Sequence, residues 1–274
     1  MLFHSMQTIT WFTLLVLILF VLICFFQNPW HAVVGLAGEL LRLRRFMWMF
    51  LLMLGVLLLN GYELALEKKL PYSADFTPWI FRLEGHFVQQ VQNLTHAPWL
   101  TGITSFFYLV VFQSLILASL FIYAGEKRTV FLHATCCAVI LNYLIAIPFY
   151  LLFPVNEVWS YPDSGVSFYM LEAFPEFETV YRPLSGINNC FPSLHTSISV
   201  TMAILAVRSG NRRWGFFASI SAVIIVFSIF YLGIHWLTDM LAGLLLATVS
   251  SSVGLRWARR WNRSYVCSRF LISA

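Results

Sequence analysis

Residues 212–255 read RRWGFFASISAVIIVFSIFYLGIHWLTDMLAGLLLATVSSSVGL and contain two apolar runs, 215–234 and 236–255, that are separated by a very short turn. Each run has the roughly 20 residues that an α-helix needs to cross the hydrocarbon layer of a bilayer, which is about 30 Å thick. One histidine and one aspartate lie at the junction of the runs. The stretch therefore predicts a hairpin of two transmembrane helices with ionisable groups at its turn.

The whole chain has the composition of a membrane protein. Of its 274 residues, 59% are hydrophobic, 17% are aromatic and only 11% are charged, whereas ordinary soluble domains carry about 25% charged residues. So few charges cannot cover the surface of a soluble globule. The composition excludes a soluble domain, a disordered chain and a coiled coil, and it predicts an all-α polytopic membrane bundle.

Seven apolar runs are long enough to be transmembrane helices. They cover residues 8–28, 46–66, 100–123, 130–153, 193–208, 215–234 and 236–255. We divide the chain into an N-terminal helix with an interfacial segment (1–45), a six-helix core (46–255) and a basic tail (256–274). The first run is not interpreted as a signal peptide, because no basic segment precedes it and it is too long.

The positions of Lys and Arg predict the orientation of the helices, because short loops rich in these residues stay on the cytoplasmic side. Thirteen of the 17 basic residues lie in four segments on one side, 42–45, 127–128, 208–213 and 256–269. The other side carries most of the acidic residues. We expect the N-terminus outside and the C-terminus in the cytoplasm, so that the net charge of +5 reflects topology and not nucleic-acid binding.

Two longer segments, 67–99 and 154–192, fall on the predicted outer side. Between residues 77 and 98, apolar residues recur at nearly helical spacing among polar ones. This pattern fits a helix lying in the headgroup layer or a helix packed against the other spans equally well. The segment 154–192 is a candidate lid over a site.

Three ionisable residues at the ends of the apolar runs are candidates for function, because charged groups cost several kcal/mol in lipid. His195 lies at the start of the fifth run, and His235 and Asp239 lie at the turn between the sixth and seventh. The predicted topology places all three at the same outer depth. This agreement favours a catalytic site at the outer face.

The spacing of these residues indicates a division of labour. His235 and Asp239 are four residues apart and share one face of a helix, so the carboxylate can hold one ring nitrogen and leave the other free to attack. Pro192 and Ser193 can begin a helix whose N-terminus favours a phosphate. His195 would then lie in its first turn, placed to protonate a leaving oxygen.

Other interpretations of the same residues stay open. The histidines and the aspartate could lock helices together or bind a metal. They could also bind substrate or protons in a transporter or lipid translocase, although transporters often show internal repeats and broken helices near the midplane. A non-catalytic relative with a degenerate pocket is a further alternative.

Two segments resemble signature motifs of the type 2 phosphatidic acid phosphatase superfamily, which includes lipid phosphatases and sphingolipid headgroup transferases. The segment 192–195 matches its Pro-Ser-x-His motif, and 228–239 matches its Ser-Arg-x5-His-x3-Asp motif, with Ile229 in place of the arginine. The resemblance implies a six-helix core and an enzyme that needs no metal or other cofactor.

The resemblance also implies roles for four residues. His235 would be the nucleophile that forms a phosphohistidine, Asp239 its orienting carboxylate, His195 the general acid and Ser193 a phosphate ligand. The implied chemistry is a two-step phosphoryl or phosphodiester transfer. These roles agree with those that the spacing indicates.

The first motif of the superfamily, Lys-x6-Arg-Pro, is incomplete in this chain. Arg182 and Pro183 supply its end, but Pro175 stands at the lysine position. Arg182 remains a candidate phosphate cation. The segment 153–159 resembles the corresponding loop of the inositol phosphorylceramide synthase-like branch, which can also lack the third-motif arginine. A site with few cations suits a singly charged phosphodiester better than a monoester. The prediction therefore favours headgroup transfer or diester cleavage over hydrolysis of a phosphomonoester.

We therefore predict an integral membrane lipid phosphatase or phospho-headgroup transferase whose partners are a membrane lipid substrate and the bilayer. Its pocket would lie at the outer face, between the last three spans and the segment 154–192, with Phe191 and Trp236 as walls. The compartment stays open between a bacterial plasma membrane and an ER or Golgi membrane, and the compact size and the absence of sorting tails favour the bacterial plasma membrane.

Overall fold

Most of the described residues are helical. A computed structural model describes residues 2–25, 28–67 and 74–272. The helices are α1 (Met6–Phe25), α2 (Pro29–Arg42), α3 (Arg44–Glu67), α4 (Thr77–Glu84), α5 (Phe87–Thr95), α6 (Pro98–Phe106), α7 (Phe112–Gly125), α8 (Thr129–Leu152), α9 (Met170–Ala173), α10 (Phe177–Val180), α11 (Arg182–Ser185), α12 (Leu194–Ser209), α13 (Arg212–Tyr231) and α14 (Leu237–Ile272). The predicted all-α membrane bundle is confirmed.

Helices occur at all seven predicted spans, and residues 26 and 27 of the first predicted span lie outside the described residues. Five segments of the described chain are long and apolar enough to cross a membrane: Met6–Phe25, Pro98–Gly125, Thr129–Leu152, Arg212–Tyr231 and Leu237–Asn262. The second predicted span is α3, whose last side chains lie outside the described ones. The fifth is α12, which with 16 residues is the shortest of the seven.

Small residues let the central helices approach closely, as membrane helices without a hydrophobic driving force between them require. α14 packs against both α8 and α12. A Cβ atom on Gly243 would lie 2.7 Å from the carbonyl oxygen of Ser193, and one on Gly254 would lie 3.0 Å from that of Ala134. Glycine at these two positions therefore fixes how closely α14 can pack.

The outer segment 77–98 forms two helices that pack against the bundle. α4 is followed by Gly85, whose φ of +58° and ψ of −133° are accessible to glycine at little cost. On α5, the buried Gln92 side chain donates to the carbonyl oxygens of Ser167 (2.8 Å) and Tyr231 (2.9 Å). Leu83 and Leu94 point outward, with 59% and 86% of their surface exposed. The packed arrangement is thus present, with one apolar face left uncovered.

The segment 154–192 is anchored by backbone hydrogen bonds to its own ends and to the α13–α14 turn. Val155 donates to the carbonyl of Asn188 (3.1 Å), and Val158 donates to that of Ile234 (3.2 Å). Gly233 has a φ of +79°, and a Cβ there would lie 2.6 Å from the carbonyl oxygen of Ser167. The segment therefore holds the turn that carries His235.

The N-terminus and the four basic segments lie at opposite ends of the bundle. At the end that holds the segment 154–192, the backbone N–H groups of Leu2 and Phe3 donate to the carbonyl of Ala173. At the other end, the Asn211 side chain joins the α7–α8 connection through Glu126 (2.7 Å) and the end of α1 through the carbonyl of Cys24 (3.0 Å). The four basic segments lie at this second end.

Candidate active site

His235 and Asp239 form a buried pair at the start of α14. The Nδ1 atom of His235 lies 3.4 Å from Oδ2 of Asp239, and the same oxygen accepts a hydrogen bond from the backbone N–H of Trp236 (2.8 Å). Oδ1 of Asp239 is buried and has no hydrogen-bond partner among the described residues. The carboxylate thus fixes the ring through one nitrogen and leaves Nε2 as the nitrogen available for chemistry.

His195 lies in the first turn of α12 and faces the pair. The centroids of the His195 and His235 rings are 6.2 Å apart. His195 stacks on Tyr108 with a centroid separation of 3.8 Å and an interplanar angle of 14°, and Phe112 contacts it at 4.3 Å. Nε2 of His195 is buried without a hydrogen-bond partner in the described part of the chain. The two rings are close enough to contact one phosphoryl group.

A π-helical turn, Phe107–Val111, places the aromatic residues that hold His195. Such turns occur mostly singly within α-helices and often at functional sites. The wider turn brings Tyr108 and Phe112, which are four residues apart, to the same imidazole ring. No pattern in the sequence signals this turn, so its contribution to the site was not predicted.

Ser193 links the two predicted motifs through hydrogen bonds to the backbone. It is fully buried, and its hydroxyl caps α12 by accepting from the backbone N–H of Thr196 (3.3 Å). Its own N–H donates to the carbonyl of Asp239 (3.1 Å). The expected cap is therefore present, and the backbone bond ties the start of α12 to the first turn of α14.

A cavity of about 150 Å³ lies against the two histidines. It is bounded by the π-helical turn, α7, α8, the start of α12, the turn before α14 and both ends of the segment 154–192. Its polar lining includes Glu157, Tyr181, Asn189, His195 and His235. Neither Phe191 nor Trp236 is among the residues that line it. Phe191 packs on Phe149 and Phe153, and the buried Trp236 donates from Nε1 to the carbonyl of Asn156 (2.9 Å).

Arg182 lies beside the cavity but is held by two carboxylates. Its guanidinium donates to Glu157 at 2.7 and 2.8 Å and to Glu178 at 2.8 Å. Burial disfavours the guanidinium charge, but the bonds to Glu178 and Glu157 outweigh it and raise the pKa of Arg182. Arg182 is therefore protonated, and its positive charge is balanced by the two carboxylates. Of these three residues, only Glu157 lines the cavity.

The cavity offers neutral hydrogen-bond donors in place of a free cation. Burial, reinforced by the nearby Glu157 carboxylate, raises the pKa of Tyr181 to about 12, so its hydroxyl stays a donor at neutral pH. Ser185 and Asn189 lie on the same wall. Within the described lining, such groups can hold phosphate oxygens without adding positive charge.

Cys190, His235 and Asp239 form a potential metal-binding group, since their ligand atoms all lie within 4.8 Å of one another. Metal ligation requires the thiolate form of cysteine. Burial, together with the charge of Asp239, raises the pKa of Cys190, and its thiol donates to the carbonyl of Ile234 (3.5 Å). The surroundings of Cys190 thus favour its protonated thiol, which would have to ionise before these three residues could hold a metal.

The sequence does not predict the contact between Glu84 and the start of α14. The Glu84 carboxylate accepts from the backbone N–H groups of Leu237 (2.6 Å) and Thr238 and from the Thr238 hydroxyl. Glu84, the last residue of α4, thereby caps the N-terminus of α14. No local pattern connects Glu84 with a helix that begins 153 residues later along the chain.

The fold and the site together define a helical membrane protein with a His-His-Asp constellation at one end of its bundle. A sequence profile described as the PAP2 superfamily matches residues 80–253, which is more than half of the chain. The chain therefore belongs to the PAP2 superfamily. This match confirms the superfamily resemblance, whereas the inositol phosphorylceramide synthase-like branch remains a prediction.

A curated Escherichia coli (strain K12) protein named "Putative undecaprenyl-diphosphatase YbjG" is 36% identical to the chain over 80 residues. The similar region covers 28% of this chain and 40% of that relative. No solved structure matches the chain. Membership of the superfamily supports a lipid phosphatase type of membrane enzyme.

Proposed function

We propose that this protein is a membrane enzyme that cleaves or transfers the phosphate headgroup of a lipid through a phosphohistidine on His235. The observation that carries the proposal is the arrangement of His235, held by Asp239, opposite His195 across one small cavity. Membership of the PAP2 superfamily supports the substrate class. The roles of the three residues are those that the motif resemblance implies.

In the first step, Nε2 of His235 attacks phosphorus while the bond from phosphorus to the leaving oxygen breaks. Protonated His195 gives its proton to that oxygen, and the Asp239 carboxylate stabilises the positive charge that develops on His235. In the second step, water or an alcohol attacks phosphorus, the nitrogen–phosphorus bond breaks and His195 takes the proton of the acceptor. Water gives hydrolysis, and an alcohol gives headgroup transfer.

The charge of the cavity favours a phosphodiester headgroup as the substrate. Phosphoryl transfer depends strongly on stabilising the charge of the phosphate oxygens. Arg182 is bound to Glu157 and Glu178, and the other groups named on that wall, Tyr181, Ser185 and Asn189, are neutral. Neutral donors suit a phosphate with one negative charge better than a monoester, which carries up to about two near pH 7.

A lipid diphosphate is a second candidate substrate, because the similar Escherichia coli protein is named as an undecaprenyl-diphosphatase. The test is incubation of the purified protein with labelled lipid monophosphate, lipid diphosphate and phosphodiester, with and without alcohol acceptors. Transfer of the diester headgroup to an alcohol supports the first candidate. Release of inorganic phosphate from the diphosphate supports the second. Turnover by the His235→Ala variant equal to wild type would overturn both.

We also propose that the site faces the outside of a bacterial plasma membrane. The basic segments at the opposite end of the bundle support this orientation, because such segments stay on the cytoplasmic side. The Gln90→Cys variant places a thiol at the site end, and the Arg212→Cys variant places one at the basic end. A membrane-impermeant maleimide should label only the first in intact cells and both after lysis. Labelling of Arg212→Cys alone would reverse the assignment.

A further inference from the structure

A second cavity lies at the basic end of the bundle, far from the histidines. It has a volume of about 480 Å³, and its lining includes Arg42, Arg44, Arg45, His133, Trp261 and Asn262. Trp261 follows Asp239 by 22 residues of the continuous helix α14. At 1.5 Å per residue this separation is about 33 Å, so the cavity is distinct from the candidate active site.

Three arginines from the α2–α3 junction converge on this cavity. Arg42 pairs with Glu39 at 3.1 Å, but Arg44 and Arg45 form no ion pair with a carboxylate of the described residues. Retention of basic loops on the cytoplasmic side explains positive charge at this end of the bundle. It does not explain why the charges line one cavity together with an indole and an imidazole. The lining therefore indicates a site for an anion.

The surroundings of the cavity favour an anion that carries acyl chains. Leu41, with 85% of its surface exposed, and Trp48, with 66% exposed, flank the arginines on α2 and α3. Leu51 and Leu52 continue the exposed apolar surface along α3. Indole rings such as that of Trp261 favour the level of the lipid headgroups. A phosphate in the cavity would thus adjoin a surface suited to lipid tails.

We propose that this cavity binds the phosphate headgroup of an anionic phospholipid as a permanent or regulatory ligand. Basic pockets between transmembrane helices at the cytoplasmic face bind such headgroups. The volume is also within the range of about 300–1,000 Å³ that is usual for small-molecule sites. This proposal does not rest on the proposed catalytic function, because none of its residues lies near His195 or His235.

The test is native mass spectrometry of the full-length protein in detergent, titrated with phosphatidylglycerol or phosphatidylcholine. We expect a tight adduct with one phosphatidylglycerol and at least tenfold weaker binding of phosphatidylcholine. The Arg44→Gln/Arg45→Gln variant should bind phosphatidylglycerol about tenfold or more weakly, since each basic residue near a headgroup contributes about 1 kcal/mol. The Arg44→Lys/Arg45→Lys variant keeps both positive charges and should keep most of the affinity. This result would show that the protein still folds when both arginines are replaced.

The matched control is Arg208→Gln/Arg212→Gln, which removes two charges at the same end but outside the cavity lining. It should leave the adduct unchanged. Equal loss in both glutamine variants would mean general charge attraction and would overturn the site. Full displacement of the lipid by millimolar inorganic phosphate would assign the cavity to a soluble anion and contradict the lipid. Equal binding of the two phospholipids would also contradict it.

Discussion

His195 and His235 come from different helices, yet their ring centroids lie 6.2 Å apart with the candidate cavity beside both. The distance depends on the close approach of α12 and α14 and on the stacking of His195 against Tyr108. A group between the rings can contact a nucleophilic nitrogen on one side and a proton donor on the other.

Replacement of His235 by alanine should abolish a covalent intermediate. With a 32P-labelled lipid substrate, wild-type protein quenched during turnover should carry an acid-labile label, and the His235→Ala variant should carry none. The rates of the His235→Ala, Asp239→Asn and His195→Ala variants should fall on the order of 10³-fold or more, because residues that act together lose most of their effect together. An unlabelled wild type at full turnover would contradict the covalent mechanism.

Removal of Arg182 should destabilise the fold more than it weakens substrate binding. Arg182→Ala leaves the buried Glu157 carboxylate without its partner, and breaking such a pair typically costs about 3–5 kcal/mol. Glu178→Gln is the matched control, because the Glu178 side chain is 38% exposed and should contribute less than about 1 kcal/mol. Thermal unfolding in detergent measures both. If Arg182→Ala raised KM without lowering the unfolding midpoint, direct phosphate binding would explain it better.

Substitution of Gly243 should separate the two motifs. In Gly243→Ala, the new methyl group would lie 2.7 Å from the carbonyl oxygen of Ser193 and would push α14 away from α12. Overpacking of this kind costs about 1–3 kcal/mol, and we expect turnover to fall at least tenfold. Gly102→Ala is the control, since nothing lies within 4 Å of its added Cβ. Equal effects of the two substitutions would show that helix separation is not the cause.

The contribution of Glu84 to stability should depend on pH. Burial raises the pKa of Glu84 despite its hydrogen bonds to Thr238 and Leu237. Its contribution is therefore complete below the unfolded value of about 4.3 and declines as pH rises through the raised folded value. The unfolding midpoint of wild type relative to Glu84→Gln should fall between acid and neutral pH. A difference that is independent of pH would contradict the shift.

The sequence alone determined the class of fold and led to the prediction of the reactive residues. Apolar runs of about 20 residues can be accommodated only by spanning helices, because backbone groups in lipid must bond within their own segment. His235 and Asp239 are separated by one helical turn, so local geometry already pairs them. The PAP2 profile match confirms the superfamily, for which the short motifs were sufficient.

Only the tertiary structure decided how the site is framed. Arg182 could be named from its motif, but its neutralisation depends on Glu157, which reaches it across 25 residues. The sequence predicted Phe191, Trp236 and Ser193 as residues of the pocket. In the structure, Phe191 packs on other aromatic rings, Trp236 donates to a backbone carbonyl and Ser193 caps α12. Tyr108 contacts His195, and Glu84 contacts the start of α14, each from a different helix. Periodicity fixes which residues share a helix, whereas the enclosure of a cavity depends on how several helices and one long segment pack together.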